Sequence, residues 1–251
     1  MDAGLATPSS GFRLVQVSDC HLSEDPTTPY RGHNADANLD RLSAAVAAFS
    51  PDALVLTGDL SEDGSPESYR RLAGWAVSFG VPVWWLPGNH DEPERMKPVF
   101  DAAGFEAGPR CSAGCWTVVL LDSRWPDDPG GELDADRLRP LDDLPADSPV
   151  AVFVHHQPVP VGAVWIDRVG LRAPERLWER LAREPRPRLV AFGHVHQRFR
   201  RRVDAIEVLA APSTAANSLP GTERFTAGET TPMARWFVLG QRGFRSGYLA
   251  P

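Results

Sequence analysis

The sequence predicts a mixed-sheet α/β fold, and three observations support this prediction. Short apolar runs rich in branched residues alternate with stretches of helical periodicity between residues 12 and 192. After residue 199 the apolar runs are separated only by turns, which is typical of hairpins. The chain has 251 residues, 42% of them hydrophobic, so it can bury one sizeable core. We therefore expect one domain spanning residues 1–251.

Apolar runs and capping residues predict the elements of the first half of the chain. The run FRLVQVS is typical of a buried strand. Ser65 followed by Pro66 indicates a helix start, because Ser caps free N–H groups and Pro fits the first helical turn. Asn34 has the same capping chemistry. The predicted strands are 12–18, 53–57 and 81–86, and the predicted helices are 34–49, 65–79 and one within 93–103.

The second half repeats this alternation and then changes character. Strands that alternate with helices predict parallel pairing through helical crossovers. The late runs RRVDAIEVLA and ARWFVLGQRGFRSGYLA leave no room for a crossover helix, so they predict hairpins. The predicted strands of this half are 115–123, 150–154 and 188–192, and the predicted helices are 134–144 and 173–184.

Charge and cysteine content exclude several classes of protein. Lys and Arg number 26 and Asp and Glu number 33, so the formal charge is −7. Such a chain lacks the basic track that non-specific nucleic-acid binding requires. Three cysteines do not form a disulfide framework, the amino terminus lacks signal-peptide character, and no apolar run approaches the ~18 residues of a membrane span. We expect a cytoplasmic protein with no nucleic-acid and no membrane partner.

Five short polar segments follow five of the predicted strands. They contain six of the seven histidines, and only His33 lies outside them. Because ligands bind at the carboxyl ends of the strands in α/β sheets, we expect these segments to meet at one sheet edge. The segments are Asp19-Cys20-His21, Gly58-Asp59, Gly88-Asn89-His90-Asp91, His155-His156 and Gly193-His194-Val195-His196.

The residue types in these segments are those of a dinuclear metal site. Imidazole and carboxylate ligands suit Fe, Mn, Zn or Co, whereas an all-oxygen set would indicate Mg or Ca. One-residue spacing lets Asp19 and His21 project from the same side of an extended turn, with Cys20 pointing away. Two metal ions about 3.5–4 Å apart need a bridging carboxylate, and Asp59 at a strand end is the candidate.

Structural roles compete with functional ones for several residues. A Gly-Asp pair after a strand is most often a turn, so only the conjunction of all five segments indicates chemistry. We interpret His156 as a packing residue and Trp84 and Trp85 as core residues. Two hypotheses stay open for Trp165, which either packs in the core or lines a nucleotide pocket. The basic stretch 198–202 is typical of a solvated hairpin face.

The ordered motifs resemble the signature of the calcineurin-like metallophosphoesterase superfamily. They run without a gap from Asp19-x-His21 to Gly193-His194-x-His196. The segments TGDLSEDGSPESYRRL, WWLPGNHDEPERM and VHHQPVPVGAVWID are similar to those of the class III bacterial 3′,5′-cyclic-nucleotide phosphodiesterases, in particular those acting on cyclic AMP. This resemblance implies a four-layer αββα sandwich of mixed sheets flanked by helices.

The resemblance also implies two overlapping sets of metal ligands and one catalytic residue outside them. Asp59 would bridge the two metal ions, and His90 would face the phosphoryl group without binding metal. The implied metals are Fe and/or Mn, with Zn or Co as alternatives. The first metal would be bound by Asp19, His21, Asp59 and His196, the second by Asp59, Asn89, His155 and His194, and the substrate by His21, Asp59, Asn89, His90 and His196.

The implied activity is hydrolysis of a small-molecule phosphodiester, namely a 3′,5′-cyclic nucleotide, with cyclic AMP converted to AMP. Two cations lower the pKa of a water molecule between them, and the bridging hydroxide would attack phosphorus in line. His90 would either protonate the leaving alkoxide or stabilise a phosphoryl oxygen. The same chemistry on a 2′,3′-cyclic nucleotide, a glycerophosphodiester or a nucleotide-linked lipid stays open, as does a non-catalytic scaffold. A homodimer is also left open by the sequence.

Overall fold

The computed structural model describes residues 11–184 and 186–251. The prediction that the chain has no signal peptide falls mainly on residues 1–10, which lie outside the described ranges. The strands are β1 (Phe12–Val17), β2 (Pro29–Tyr30), β3 (His33–Asn34), β4 (Ala53–Thr57), β5 (Val83–Leu86), β6 (Arg110–Ala113), β7 (Trp116–Leu121), β8 (Arg124–Trp125), β9 (Asp128–Glu132), β10 (Val150–Val154), β11 (Leu171–Arg172), β12 (Pro187–Phe192), β13 (Phe199–Val203), β14 (Ile206–Ala210), β15 (Ala234–Gly240) and β16 (Gly243–Leu249). The helices are α1 (Ala35–Phe49), α2 (Pro66–Val77), α3 (Pro93–Ala102), α4 (Ala135–Leu138), α5 (Val164–Asp167) and α6 (Glu175–Leu181), with a 3-10 turn at Arg139–Leu141.

Two mixed sheets form the centre of the fold. The first has the order β16-β15-β1-β4-β5, in which β1, β4 and β5 are parallel, β15 is antiparallel to β1, and β16 is antiparallel to β15. The second has the order β13-β14-β12-β10-β7-β6, with parallel strands β7, β10, β12 and β14 and an antiparallel strand at each edge. Both predicted hairpins are confirmed, and each one extends a different sheet.

The sheets pack face to face, and helices cover their outer faces. Ala53 and Val55 of β4 lie in the core between the sheets, whereas Leu54 and Leu56 pack under helices α1 to α3. Burial on both faces explains why this strand is a continuous apolar run. Helices α4 to α6 pack on the outer face of the second sheet in the same way. This arrangement confirms the four-layer αββα sandwich.

The capping predictions are confirmed, whereas several element bounds and short elements were not predictable. The Asn34 side chain accepts a hydrogen bond from the Ala37 N–H at 2.7 Å, and Ser65 caps α2 from the expected position. The predicted helix 134–144 is wrong in length: α4 has only four residues, and a 3-10 turn containing Pro140 follows it. Pro lacks an N–H donor, so it does not continue the helical ladder. No helix among the described residues is long and apolar enough to cross a bilayer.

The expectation of a single sheet edge is wrong in one respect. Three of the five polar segments follow β1, β4 and β5 of the first sheet, and two follow β10 and β12 of the second. Because the two sheets are stacked with these strand ends on the same side, the segments still converge. The two sheets therefore contribute one half of the site each.

Candidate metal centre

The polar segments are held in tight turns that position their side chains. Among the described residues, eleven non-glycine residues have positive φ angles, and five of these lie in the polar segments. Positive φ is unfavourable for residues with a Cβ and persists only where the surroundings enforce it. The extended turn expected for the first segment is therefore wrong, although Cys20 does pack away from the site in the core. The five residues are Asp19, His21, Asp59, His194 and His196.

Glycine is required where the loops touch. Gly58 has a φ of 88°, and a Cβ on it would lie 2.5 Å from Nδ1 of His155. Such a distance is far inside van der Waals contact, so a larger residue would displace this histidine. A Cβ on Gly88 would overlap the carboxylate of Asp59. The glycines of the motifs therefore let the loops of the two sheets approach each other closely.

One group of side chains collects around His21 and His196. Their Nε2 atoms lie 3.1 Å apart, and Nε2 of His196 is 3.2 Å from Oδ1 of Asp19. Nε2 of His21 also lies 3.8 Å from Oδ2 of Asp59. All four side chains are buried. These are the residues that the sequence predicts for the first metal, and the structure brings them together.

The hydrogen bonds of this group indicate that it fits a cation. Nδ1 of His196 donates to the carbonyl oxygen of Ala216 at 2.8 Å, and Nδ1 of His21 donates to the Glu62 carboxylate at 2.7 Å. Burial lowers the pKa of His21, which favours the neutral ring. Nε2 of His21 then carries a lone pair and faces Nε2 of His196 at 3.1 Å. Two ring nitrogens at this distance, with their Nδ1 atoms held by other acceptors, suit a metal ion between them.

A second group collects around His155. Its Nε2 lies 3.3 Å from Oδ2 of Asp59 and 3.2 Å from Oδ1 of Asn89, while its Nδ1 donates to the carbonyl oxygen of Thr57 at 2.7 Å. His194 lies beside it, with ring centroids 5.0 Å apart. Nε2 of His194 donates to the carbonyl oxygen of Val169 at 3.1 Å, so Nδ1 is its free atom. This group corresponds to the residues predicted for the second metal.

Asp59 connects the two groups. Its Oδ2 is the oxygen that faces both His21 and His155, and its Oδ1 accepts a hydrogen bond from the backbone N–H of His90 at 2.9 Å. Burial raises the pKa of this carboxyl, but the neighbouring histidines, His155 above all, hold it well below its usual value. Asp59 is therefore ionised, and it lies between the two groups, as expected for the predicted bridging residue.

His156 belongs to the same cluster of buried imidazoles but has no free nitrogen. Its Nε2 donates to the carbonyl oxygen of Pro129 at 3.2 Å, and its Nδ1 then accepts from the hydroxyl of Ser123 at 2.8 Å. Burial, with the neighbouring histidines, lowers its pKa well below the usual value. These contacts agree with the packing role predicted for His156.

His90 lies at the accessible rim of the site. Its side chain is 38% exposed, and its Nδ1 is 3.2 Å from Oε2 of Glu62. The same carboxylate oxygen accepts the hydrogen bond from His21. Burial raises the pKa of Glu62, but the two histidines outweigh this effect and hold it below its usual value. Glu62 is thus an ionised link between a predicted metal ligand and the predicted catalytic residue.

Neither Glu62 nor the structural role of Asp91 was predicted from the sequence. The Asp91 carboxylate accepts hydrogen bonds from the backbone N–H groups of Leu60, Ser61 and Gly88 and from the hydroxyl of Tyr69. It therefore joins the loops after β4 and β5. The only signal for either residue was an acidic side chain within a few positions of a motif, which is too common to indicate a role.

The remaining sequence hypotheses have separate outcomes. Trp84 and Trp85 are buried in the core, as predicted. His33 is half-buried in the short strand β3 and does not belong to either group. Arg200 and Arg201 are exposed on edge strand β13, which confirms a solvated hairpin face. Trp165 is half-buried and packs edge-to-face on Phe225, with ring centroids 5.5 Å apart.

Comparisons with known proteins agree with this geometry. Residues 12–198 match the family described as calcineurin-like phosphoesterase. A Pseudomonas aeruginosa protein named 3′,5′-cyclic adenosine monophosphate phosphodiesterase CpdA is 36% identical over 92% of this chain and 86% of its own length. The Escherichia coli K12 protein of the same name is 32% identical over 92% of this chain and 88% of its own length.

A solved structure shows the same fold at much lower sequence identity. The dimetal phosphatase from Danio rerio superposes with a TM-score of 0.68 at 14% identity, covering 96% of this chain and 99% of that chain. At this identity the likeness concerns the fold alone. Taken with the match over residues 12–198 and the two bacterial relatives, it leads to one conclusion. The chain belongs to the calcineurin-like phosphoesterase family.

Proposed function

We propose that the protein is a dinuclear metal-dependent phosphodiesterase that hydrolyses 3′,5′-cyclic nucleotides, with cyclic AMP converted to AMP. The observation that carries this proposal is the pair of facing Nε2 atoms of His21 and His196, 3.1 Å apart, beside a carboxylate oxygen shared with His155. The names of the two bacterial relatives support the substrate class. Every position of the two predicted ligand sets carries a side chain that can bind metal, which argues against a non-catalytic scaffold.

The proposed ligands follow from the free atoms of the two groups. The mixed imidazole and carboxylate set suits Fe and/or Mn, with Zn or Co as alternatives. When bound, two such ions lower the pKa of a water molecule and neutralise charge on the phosphoryl oxygens. The first metal ion would be held by Asp19, His21, Asp59 and His196, and the second by Asp59, Asn89, His155 and His194.

His90 is proposed to contact the substrate at the reacting phosphate. Its backbone N–H is held by Asp59 and its Nδ1 faces Glu62, so its Nε2 is the atom left for the substrate. Donation of a proton from Nε2 to the departing 3′-oxygen avoids the release of a strongly basic alkoxide. Asn89 stands next to it, between His90 and His155, and its side-chain amide would orient a phosphoryl oxygen as well as bind the second metal.

We also propose that the reaction takes place in the cytoplasm. Cys20, Cys111 and Cys115 are all unpaired, which suits a reducing compartment.

A substrate panel tests the proposed function. Purified protein loaded with Mn is expected to cleave bis(4-nitrophenyl) phosphate, and chelation is expected to abolish this activity. In a panel of 3′,5′-cyclic AMP, 3′,5′-cyclic GMP, 2′,3′-cyclic AMP and glycerophosphodiesters, the highest kcat/KM is expected for a 3′,5′-cyclic nucleotide. Rapid cleavage of another ester with 3′,5′-cyclic AMP untouched would reject the substrate assignment. Absence of turnover with every metal would reject the enzyme itself.

A further inference from the structure

A cluster of three side chains, Arg31, Trp165 and Phe225, stands beside the first group of metal ligands. The guanidinium carbon of Arg31 lies 3.8 Å from the centroid of the Phe225 ring. The Phe225 ring meets Trp165 edge-to-face at 5.5 Å and His196 at 6.5 Å. We call these three residues the aromatic wall. They come from the turn between β2 and β3, from helix α5 and from the loop between β14 and β15, and none of them is a proposed metal ligand.

Backbone hydrogen bonds join helix α5, which carries Trp165, to the loop that carries Phe225. The N–H of Val164 donates to the carbonyl oxygen of Thr222 at 3.0 Å, which joins the Trp165 helix to the Phe225 loop. The N–H of Leu219 donates to the carbonyl oxygen of Thr226 at 2.8 Å and closes the Phe225 loop on itself. The wall is therefore a structured surface and not a chance contact of mobile side chains.

The turn that carries Arg31 contacts the site through Tyr30. Nε of Arg31 donates to the phenolic oxygen of Tyr30 at 3.0 Å. The Tyr30 ring stacks on His21 with centroids 4.0 Å apart and an angle of 6° between the planes. The wall is thus connected to His21 at one end and lies next to His196 at the other, so it flanks the position proposed for the first metal.

The surroundings of His90 have a different chemical character. Its Nδ1 lies 3.2 Å from Glu62, and two residues along the chain Glu92 pairs with Arg124 at 3.7 Å. A flat, uncharged heterocycle gains little from such a charged rim, whereas it stacks well on aromatic rings and on guanidinium planes. Arg31 is exposed and Phe225 is half-buried, so both remain open to a ligand. The buried indole N–H of Trp165 also has no acceptor among the described residues.

We propose that the aromatic wall binds the nucleobase of the substrate, with the base stacked against Arg31 and Phe225. Trp165 packs edge-to-face on Phe225 and holds that ring in place. This inference rests on the proposed function, because the phosphate of the same nucleotide must occupy the metal site. The wall selects purine nucleotides over pyrimidine nucleotides, since a larger π surface stacks more strongly.

The test compares cyclic AMP with an analogue that lacks the base, methyl riboside 3,5-cyclic phosphate. Both carry the same scissile bond, so their kcat/KM ratio isolates recognition of the base. Arg31→Ala and Phe225→Ala are each expected to lower this ratio about tenfold, mainly through KM for cyclic AMP. Phe225→Leu keeps most of the apolar volume but loses the aromatic ring. Because this variant is expected to fold normally, a lower ratio in it cannot be attributed to misfolding, and we expect such a decrease.

A second pair of residues provides a matched control. The Arg13 guanidinium stands over the Phe49 ring at 4.6 Å, and this pair lies at the start of β1 and the end of α1, away from the site. Phe49→Ala is expected to leave the ratio at its wild-type value. An unchanged ratio in both Arg31→Ala and Phe225→Ala, or the same fall in both substrates, would overturn the proposal.

Calorimetric binding of AMP gives a measurement without turnover. Both wall variants are expected to bind AMP about tenfold more weakly than wild type, and equal affinity would overturn the proposal. If wild type cleaves bis(4-nitrophenyl) phosphate but neither cyclic compound, the proposed function fails. In that case the affinities of wild type and wall variants for AMP still show whether the aromatic wall binds the base. Failure of the proposed function can therefore be distinguished from failure of the base-binding proposal.

Discussion

The two sheets anchor their halves of the candidate metal centre with different chemistry. In the first-sheet half, His21 is held by the Glu62 carboxylate, which also faces the exposed ring of His90. In the second-sheet half, His155, His194 and His196 are held by neutral backbone carbonyl groups and are buried. An acceptor with full charge responds to changes of charge at the site, whereas a backbone carbonyl mainly fixes orientation. Under the proposed function, we expect the first half to respond to charge during the reaction and the second to fix the orientation of its proposed metal ligands.

Proton affinities differ across the second half as well. Burial lowers the pKa of His155, but the Asp59 carboxylate outweighs this effect and raises it to about 9. Burial, with the nearby His155, lowers the pKa of His194 to about 3. Of two neighbouring imidazoles, the one that faces the shared carboxylate therefore holds a proton and the other stays neutral. A cation bound between His155 and Asp59 would replace that proton as the partner of the Asp59 carboxylate.

The largest effect is expected at Asp59, the one residue that belongs to both proposed sets of metal ligands. Asp59→Asn removes the charge that faces His21 and His155, so it should weaken both metal sites together. We expect loss of both ions and a fall in kcat on bis(4-nitrophenyl) phosphate of at least about 10²-fold. Elemental analysis of the purified variant measures metal content. Asp40→Asn, an exposed carboxylate on α1, is the control. Loss of only one ion would show that the two metal sites do not share Asp59 as a ligand.

His90→Ala should separate chemistry from metal binding. We expect both ions to remain and turnover of cyclic AMP to fall about 10²-fold, because the proton for the 3′-oxygen is lost. On bis(4-nitrophenyl) phosphate the fall should be much smaller, since 4-nitrophenolate leaves without protonation. Equal losses on both substrates would instead assign His90 to charge stabilisation. Metal loss would refute its place outside the ligand sets. His33→Ala is a control at a histidine outside both groups.

Glu62→Gln tests whether the first half needs a charged anchor. The glutamine keeps an acceptor oxygen that can face His21 and His90 as Oε2 of Glu62 does, but it removes the negative charge. We expect about tenfold weaker binding of the first metal together with a lower kcat. Metal titration followed by activity assays measures both effects. Glu92→Gln, at a carboxylate 3.7 Å from Arg124 on the same rim, provides the control. Wild-type values in Glu62→Gln would remove the contrast between the halves.

The side chains that meet at this site were predictable from the sequence, whereas their hydrogen-bond anchors were not. Asp19, Asp59 and His155 follow apolar runs directly, so the periodicity that predicts a strand also places its polar end. The acceptor for His196 is the carbonyl oxygen of Ala216, which any residue type could supply. Backbone acceptors leave no trace in the sequence.

Short elements were missed for a related physical reason. Strands β8, β9 and β11 form a small sheet of two to five residues per strand, which is too short to show a period. They are nevertheless part of the site, because Pro129 of β9 accepts the hydrogen bond from His156. Tertiary contact, and not local propensity, creates such elements.

The smallest effect is expected at Ser123, an anchor of the second half. Its hydroxyl donates to Nδ1 of buried His156, so Ser123→Ala leaves that nitrogen without a partner. We expect a loss of about 1–2 kcal/mol in the free energy of unfolding, measured by urea denaturation, with unchanged metal content. Ser43→Ala also removes a side-chain hydrogen bond, to Trp75, but at a half-buried position where water can replace it, so its loss should be smaller. If Ser123→Ala released metal as readily as Glu62→Gln, the second half would depend on its side-chain anchors too, and the contrast between the halves would lie in burial alone.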